Sequence, residues 1–387
     1  MKKKVLSFML SFAMLAGLTT VGQSVLADES TGSSEEQSEA ASSEEKTSEG
    51  SGIEIALVTD VGTIDDRSFN QGSWEGVVKY AEENKLVENK DYKYYRPTEQ
   101  SDSAYEQAID LAVEGGAKII VCPGYLFEVP VYTKAQEYPE VKFVLVDGVP
   151  HDADLNPADP PLENVVAINY KEEEAGFLAG YAIVKEGDRK LGFMGGIAVP
   201  AVVRFGYGFA QGAEVAAKEL GLKEGEVSLM YNYTGSFEPK PEILNQASTW
   251  YSNGVETIFS CGGGIGVSVM NAAETNKTKV IGVDIDQYSQ SESTVITSAM
   301  KNLQLSVYEA VKSAFDGTWK GEVEHLGAKE DMVLISMDHD TFKTFTKEDY
   351  DKIYAELKDG KFEIKNDTDA NSPTELGLSL VTVDFVE

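Results

Sequence analysis

Cysteine is nearly absent from this sequence: Cys122 and Cys261 are the only two in 387 residues. That excludes a disulfide framework, and both cysteines, each ending a β-rich run, read as free packing residues. Histidine is as scarce, and His151, His325 and His339 are scattered, so neither a metal cluster nor a cofactor motif is visible. The Asp-rich stretch 152–159 has irregular spacing and carries Pro157, which favours a surface loop over a calcium site. Basic side chains are few, with 33 Lys and Arg against 65 Asp and Glu and a net charge of −32. Nucleic acid and anionic membrane are thereby disfavoured as partners, because phosphate contacts need Lys and Arg surfaces.

Long apolar runs are lacking too. The longest, Val5 to Leu18, follows Lys2-Lys3-Lys4 and is short for a membrane span. With small residues at Val25-Leu26-Ala27, residues 1–27 read as an export signal cleaved after Ala27, with an uncleaved anchor as the alternative. Leu15-Ala16-Gly17 resembles the approach to an acylated cysteine, but the next residue is Leu18, so this chain is not expected to be lipidated there. Residues 28–52 are Ser, Glu, Gly and Thr with almost no apolar side chain. They cannot bury enough surface to offset their ordering entropy, which predicts a flexible tether.

From residue 53 the pattern alternates strand and helix. Runs at 53–58, 118–122 and 141–146 are β-rich, and helical patterns lie at about 73–84, 102–115 and 128–138, which together make βαβ units and a parallel sheet. The layout recurs after residue 189, with strands at 190–194, 257–261 and 279–283 and a helix at about 204–220. Phe69-x-x-Gly72-x-x-x-Gly76 returns as Phe205-x-x-Gly208-x-x-x-Gly212, and each cysteine-ended strand is followed, some two dozen residues on, by Asp147 or Asp284. The expected fold is α/β, with two duplicated Rossmann-like lobes whose parallel sheets are joined by crossover strands near 165–171 and 295–301. Lobe 1 is expected to comprise 53–166 with about 296–322, and lobe 2 167–295 with about 323–345. Residues 346–387 are expected to complete the fold.

Ligands of open parallel sheets bind beyond the C-terminal strand ends. Two facing lobes would therefore line one cleft with residues 60–70, 122–125, Asp147, 197–205, 261–266 and Asp284, and Lys301 would arrive on the second crossover. Such a cleft offers aromatic faces and carboxylate acceptors to a ligand. An uncharged ligand needs no cluster of cations, which a phosphorylated one would. Glycines 262–266, Gly262 and Gly264 among them, let backbone approach a ligand without an intervening Cβ. Their spacing is not that of a dinucleotide fingerprint. Arg204 is the one cation that would argue for an anionic ligand. Alternatives stand beside several of these readings. Asp66 fits either the site or a cap on the helix starting near Ser68, Phe205 either a second stacking face or the core, and Trp74 the core.

The densest motif is Thr59-Asp60-Val61-Gly62-Thr63-Ile64-Asp65-Asp66-Arg67-Ser68-Phe69-Asn70-Gln71, followed by Trp74-Glu75-Gly76. Here the chain resembles the basic membrane protein family, the purine-nucleoside-receptor lipoproteins that serve ABC importers. Further matches are Val146-Asp147-Gly148, Gly262 to Val267, Ile281-Gly282-Val283-Asp284-x-Asp286-Gln287 and Thr297 to Asn302, in the family's order over about 53–345. The resemblance implies a type I periplasmic-binding-protein fold, a nucleoside ligand, and a permease and ATPase encoded separately. It implies that Phe69 lies against the base, that Asp60 and Asn70 bond to base or ribose edges, and that Asp284 takes the diol with Lys301 beside it. Asp147 is a further polar contact. The stretch Cys122-Pro123-Gly124-Tyr125 departs from the family's usual pattern, which bears on base selectivity.

The expected function is binding without chemistry: an exported monomer, at the extracellular membrane face or secreted, that closes on a small solute for an importer. A surface ligand sensor on the same fold is the alternative. A calcium-dependent nucleoside hydrolase is disfavoured. Residues 59–66 only faintly echo its metal loop, with Val58 where the first Asp belongs and one residue too many before the Asp pair.

Overall fold

The computed structural model describes residues 52–60 and 62–386. The expected export signal, almost all of the tether and Val61 lie outside them. The first half supplies strands β1 (Ile55–Val58), β2 (Tyr92–Tyr95), β3 (Ile119–Pro123), β4 (Lys142–Val146) and β5 (Val165–Tyr170). Between them run helices α1 (Phe69–Glu83), α2 (Asp102–Glu114) and α3 (Glu128–Glu137). The second half repeats this with β6 (Lys190–Gly195), β7 (Val227–Tyr233), β8 (Thr257–Cys261), β9 (Lys279–Asp284) and β10 (Val295–Lys301). Its helices are α5 (Pro200–Glu219), α6 (Pro241–Ser252) and α7 (Ile265–Asn276), after α4 (Glu172–Glu186) links the halves. The chain ends through α8 (Leu303–Asp316), β11 (Val323–Leu326), β12 (Val333–Ile335), α9 (Lys347–Lys358) and β13 (Val381–Phe385).

The sheets run β11-β5-β4-β3-β1-β2 and β12-β10-β9-β8-β6-β7-β13. Replacing β1 to β5 by β6 to β10 converts the heart of one order into the other, so the duplication read from spacing is also a duplication of topology. Every pairing between these strands is parallel except that of β12 with β10. Central strands such as β1 (Ile-Ala-Leu-Val) and β8 are buried along their whole length, as a parallel sheet covered on both faces requires. The edge strand β2 (Tyr-Lys-Tyr-Tyr) is only partly buried. It gives no clear signal in the sequence, because its mixed polarity belongs to an edge.

The repeated glycine spacing has a packing cause. On α1, a Cβ at Gly76 would lie 2.7 Å from Cβ of Val307 on α8. On α5, Cβ atoms at Gly208 and Gly212 would lie 2.0 and 1.9 Å from the carbonyl oxygens of Glu173 and Phe177 on α4. In both halves the glycines let a second helix, α8 on α1 and α4 on α5, pack against backbone, which no larger residue permits. Trp74 is core, 7% exposed and 5.5 Å from the ring of Tyr92.

The expected lobe boundaries need correction. Residues 167–170 pair in the first sheet as part of β5, 296–301 pair in the second as part of β10, and 323–326 pair in the first as β11. A strand belongs to the sheet that satisfies its backbone groups, so the lobe changes come after β5, after β10 and after β11. It is therefore helices that change sides: α4 packs on α5 and β10, and α8 on α1, β3 and β4. In the C-terminal segment β13 extends the second sheet beside β7.

Candidate functional site

The C-terminal ends of the strands in both sheets open onto one cavity of about 110 Å³, several times the roughly 10–15 Å³ that a single enclosed water needs. The first lobe lines it with Asp60, Asp66, Phe69, Asn70, Tyr125, Leu126 and Asp147. The second contributes Val199, Val202, Phe205, Phe237, Cys261, Gly262, Gly264, Asp284 and Lys301. All ten residues singled out in the sequence thus line a single space.

The loop after β1 is organised by two carboxylates. Asp60 Oδ1 accepts from the Gly62 amide at 2.7 Å and from Asn70 Nδ2 at 2.9 Å. Asp66 accepts from the backbone amides of Ser68, Asn70 and Gln71 at 2.8, 2.9 and 3.1 Å, and from Asn70 Nδ2 at 2.9 Å. Asp66 satisfies the free amides opening α1, the capping role open to it, and it also lines the cavity. Asn70 spends its amide hydrogens on these carboxylates, and its buried Oδ1 has no partner among the described residues. Burial pushes the Asp60 carboxyl up to about 6, against the pull of Gly62 and Asn70.

The sign of that shift yields a test. The folded state holds the Asp60 proton to about pH 6, whereas an unfolded Asp releases it near its ordinary value of 3.8. Stability therefore falls as pH rises between about 4 and 6. Asp60→Asn keeps the oxygen that accepts both bonds, so above pH 6 the ligand-free variant is expected to be more stable than the parent by on the order of 1–2 kcal/mol. Urea unfolding at pH 4.5 and 7.5 measures this, and a gain equal at both pH values would rule out the titration of Asp60 as its source.

Asp147 and Asp284, at the ends of the equivalent strands β4 and β9, both adopt left-handed backbone, with φ of 60° and 67°. Asp and Asn tolerate that conformation better than most residues, and it turns each side chain off its strand at the cavity. Lys301 lies between them. Its Nζ pairs with Asp147 Oδ2 and lies 3.5 Å from Asp284 Oδ1 and 3.8 Å from Glu172 Oε1. Burial alone would lower this ammonium, but the three carboxylates outweigh it and hold Lys301 well above the usual lysine range. Burial, reinforced by Asp147, pushes Glu172 up to about 8 against the pull of Lys301 and Arg204. One oxygen each of Asp147 and Glu172 is buried without a hydrogen-bond partner among the described residues.

Aromatic rings surround the same ammonium, with ring centroids of Phe69, Tyr170 and Phe205 at 4.5, 5.4 and 5.6 Å from Nζ. Phe205 stands both in the core and at the cavity wall. It is 1% exposed and packs edge-on to Phe259 at 5.9 Å, yet it lines the cavity. Gly262 (φ 158°) is required by chain packing, since a Cβ there would meet Gly196 Cα at 2.8 Å. Arg204, the cation that would argue for an anionic ligand, is engaged elsewhere: Nε donates to Asp367 Oδ1 at 2.6 Å, and Nη1 lies 3.4 Å from Glu172 Oε2. Cys122 and Cys261 are free and buried.

Sequence reasoning misses Phe237 and Glu172. Phe237 follows β7, a strand whose mixed burial gives no clear apolar run, so its strand-end position is hidden. Glu172 opens Glu-Glu-Glu at the start of α4 and looks like an exposed first turn, but it is fully buried.

A family profile described as ABC transporter substrate-binding protein PnrA-like matches residues 53–366. Among curated relatives, the ABC transporter nucleoside-binding protein BmpA of Lactococcus lactis is 27% identical over 331 residues, 81% of this chain and 89% of that protein. Basic membrane protein A1 of Borrelia garinii is 29% identical over 289 residues, 72% of this chain and 78% of its own length. Among solved structures, an ABC transporter solute-binding protein from Aeropyrum pernix superposes with a TM-score of 0.69 at 22% identity, over 83% of this chain and 95% of that one. One from Conexibacter woesei gives 0.62 at 20%, over 81% and 99%. These likenesses identify the fold as that of the type I periplasmic binding proteins.

Proposed function

The chain belongs to the PnrA-like family of ABC transporter substrate-binding proteins, and on that premise we propose that it closes its two lobes around a purine nucleoside for delivery to an importer. The observation that carries this is the chemistry of the cavity wall. Aromatic rings from both lobes, Phe69, Phe205 and Phe237, stand beside an excess of acceptors from Asp60, Asn70, Asp147 and Asp284. The lining cation, Lys301, is already shared among three carboxylates. Such a wall favours a ligand that is flat, uncharged and rich in O–H and N–H donors. A phosphate would face uncompensated carboxylates. The nucleoside-binding relative from Lactococcus lactis supports the same ligand class.

The mechanism requires no bond to be made or broken. Solute entering the open form meets Phe69 and Asn70 on one lobe and Asp284 on the other, and the closed state is selected because only there do both lobes contact the ligand. In this reading the protein is an exported monomer, and the closed form docks on a permease driven by a separate ATPase.

Titration calorimetry of residues 52–387, stripped of co-purified ligand, against adenosine, guanosine, inosine, cytidine, uridine, ribose and riboflavin tests the proposal. Purine nucleosides are expected to bind at micromolar or tighter Kd with ribose silent; silence across all nucleosides discards this ligand class. Phe69→Ala is expected to weaken purine nucleoside binding by about 1–3 kcal/mol, the usual worth of base stacking, without altering the unfolding midpoint. An unfolded variant would instead make Phe69 a core residue.

A further inference from the structure

A second groove between the lobes, lined by Arg67, Glu75, Asp286, Gln290 and Leu303, shares Lys301 with the ligand cavity. At its edge Arg67 adopts left-handed backbone with φ 57°, a conformation that disfavours a residue with a Cβ unless the surroundings impose it. Its carbonyl is gripped from the other lobe. The Arg67 carbonyl accepts from Gln287 Nε2 and from Gln290 Nε2, both at 2.8 Å. A carbonyl oxygen has two lone pairs, so these two donors saturate it. Gln287 is itself locked in place: it is buried, its Oε1 accepts from the Val283 amide at 3.0 Å, and its own amide donates to Ser298 Oγ at 3.0 Å. Next in the chain, Ser68 Oγ donates to Asp284 Oδ2 at 2.5 Å.

We propose that Gln287 and Gln290 form a clasp that holds the lobes closed through the Arg67 carbonyl, acting as positioning residues for ligand capture. Neither side chain lines the ligand cavity. The segment they grip leads directly into Phe69 and Asn70, so seating Arg67 and Ser68 against the second lobe fixes the stacking ring and its neighbouring amide. The clasp contributes to closure whichever ligand is inside, whereas the cavity wall discriminates between ligands. This role rests on the reading of the chain as a two-lobe binding protein.

The test uses Gln290→Ala and the isosteric Gln290→Glu, which lacks the donor; Gln290 is only partly buried, so the fold is expected to survive. Stopped-flow kinetics with adenosine and with inosine should show dissociation about three- to tenfold faster, by the same factor for both, as loss of one interlobe hydrogen bond implies. Association rates and the ratio of the two affinities should not change. A dye pair placed on α2 and α6 should show the ligand-free variants more open than the parent. Unchanged dissociation and unchanged interlobe distance would overturn the clasp, and so would an altered adenosine-to-inosine ratio, because Gln290 would then act on the ligand itself. If the parent binds neither nucleoside, the proposed ligand fails, and the interlobe distance of the ligand-free variants still decides for or against the clasp.

Discussion

Lys301→Met is expected to lower the unfolding free energy at pH 7.5 by about 3–5 kcal/mol, the usual cost of removing one partner from a buried ion pair. Methionine fills a similar volume, so the effect is electrostatic. Lys301 is 3% exposed, and its ammonium faces Asp147, Asp284 and Glu172. Without it three carboxylates stand in a space from which water is largely excluded, and Arg204, already bonded to Asp367, is the cation left beside Glu172. The loss should depend on pH. Asp147 and Glu172 are already raised by burial, and removing the lysine that opposes that shift raises them further. A carboxyl whose folded value exceeds its unfolded value loses stability as pH rises through that interval. The deficit relative to the parent should therefore shrink as pH falls from 7.5 toward 5. Guanidinium unfolding across that range measures it. Equal stability of variant and parent at pH 7.5 would mean that the cluster already carries protons in place of the lysine charge.

Asp284→Asn is expected to weaken purine nucleoside binding by about 1.5–3 kcal/mol, the worth of hydrogen bonds to a charged acceptor, or roughly 10- to 150-fold in Kd. Asparagine is the informative substitution, because it tolerates the left-handed backbone at this position and can still accept from Ser68. What it removes is the charge that faces the cavity and the lysine. Calorimetry with adenosine or inosine reads the change, and thermal unfolding checks that the fold is intact. Unaltered affinity in a folded variant would take Asp284 out of the binding site and leave its partnerships with Lys301 and Ser68 as its role.

Several features of this molecule are legible in the sequence because their causes are local. Buried parallel strands must be apolar on both faces, so β1 and β9 stand out as short Val/Ile-rich runs. The Phe-x-x-Gly-x-x-x-Gly spacing survives in both halves because a helix packs on backbone at those glycines. The ten cavity residues lie at or just beyond strand ends, or on the turns that open α1 and α5. Their positions can be inferred because the C-terminal edge of a parallel sheet is where its loops converge. Where local signals are ambiguous, so is the reading. Strands β2 and β7 alternate in burial and do not stand out, and Phe237 is lost from view with β7.

The amino-acid order by itself determined that the chain is a duplicated α/β protein, which loops line its cavity, and that rings and carboxylates outnumber cations there. Hydrophobic period, glycine spacing and residue type act over a few neighbours, so they can be read in one dimension. The tertiary structure alone decided where the chain changes lobes, because that depends on which sheet satisfies each strand's backbone groups. It also decided that Arg204 is bound to Asp367, 163 residues away, and that Glu172 is buried against Lys301 and does not face water. The charge available to a ligand follows from which ions are paired and how deeply they are buried. Both are properties of contacts between distant parts of the chain, set only when the two lobes come together.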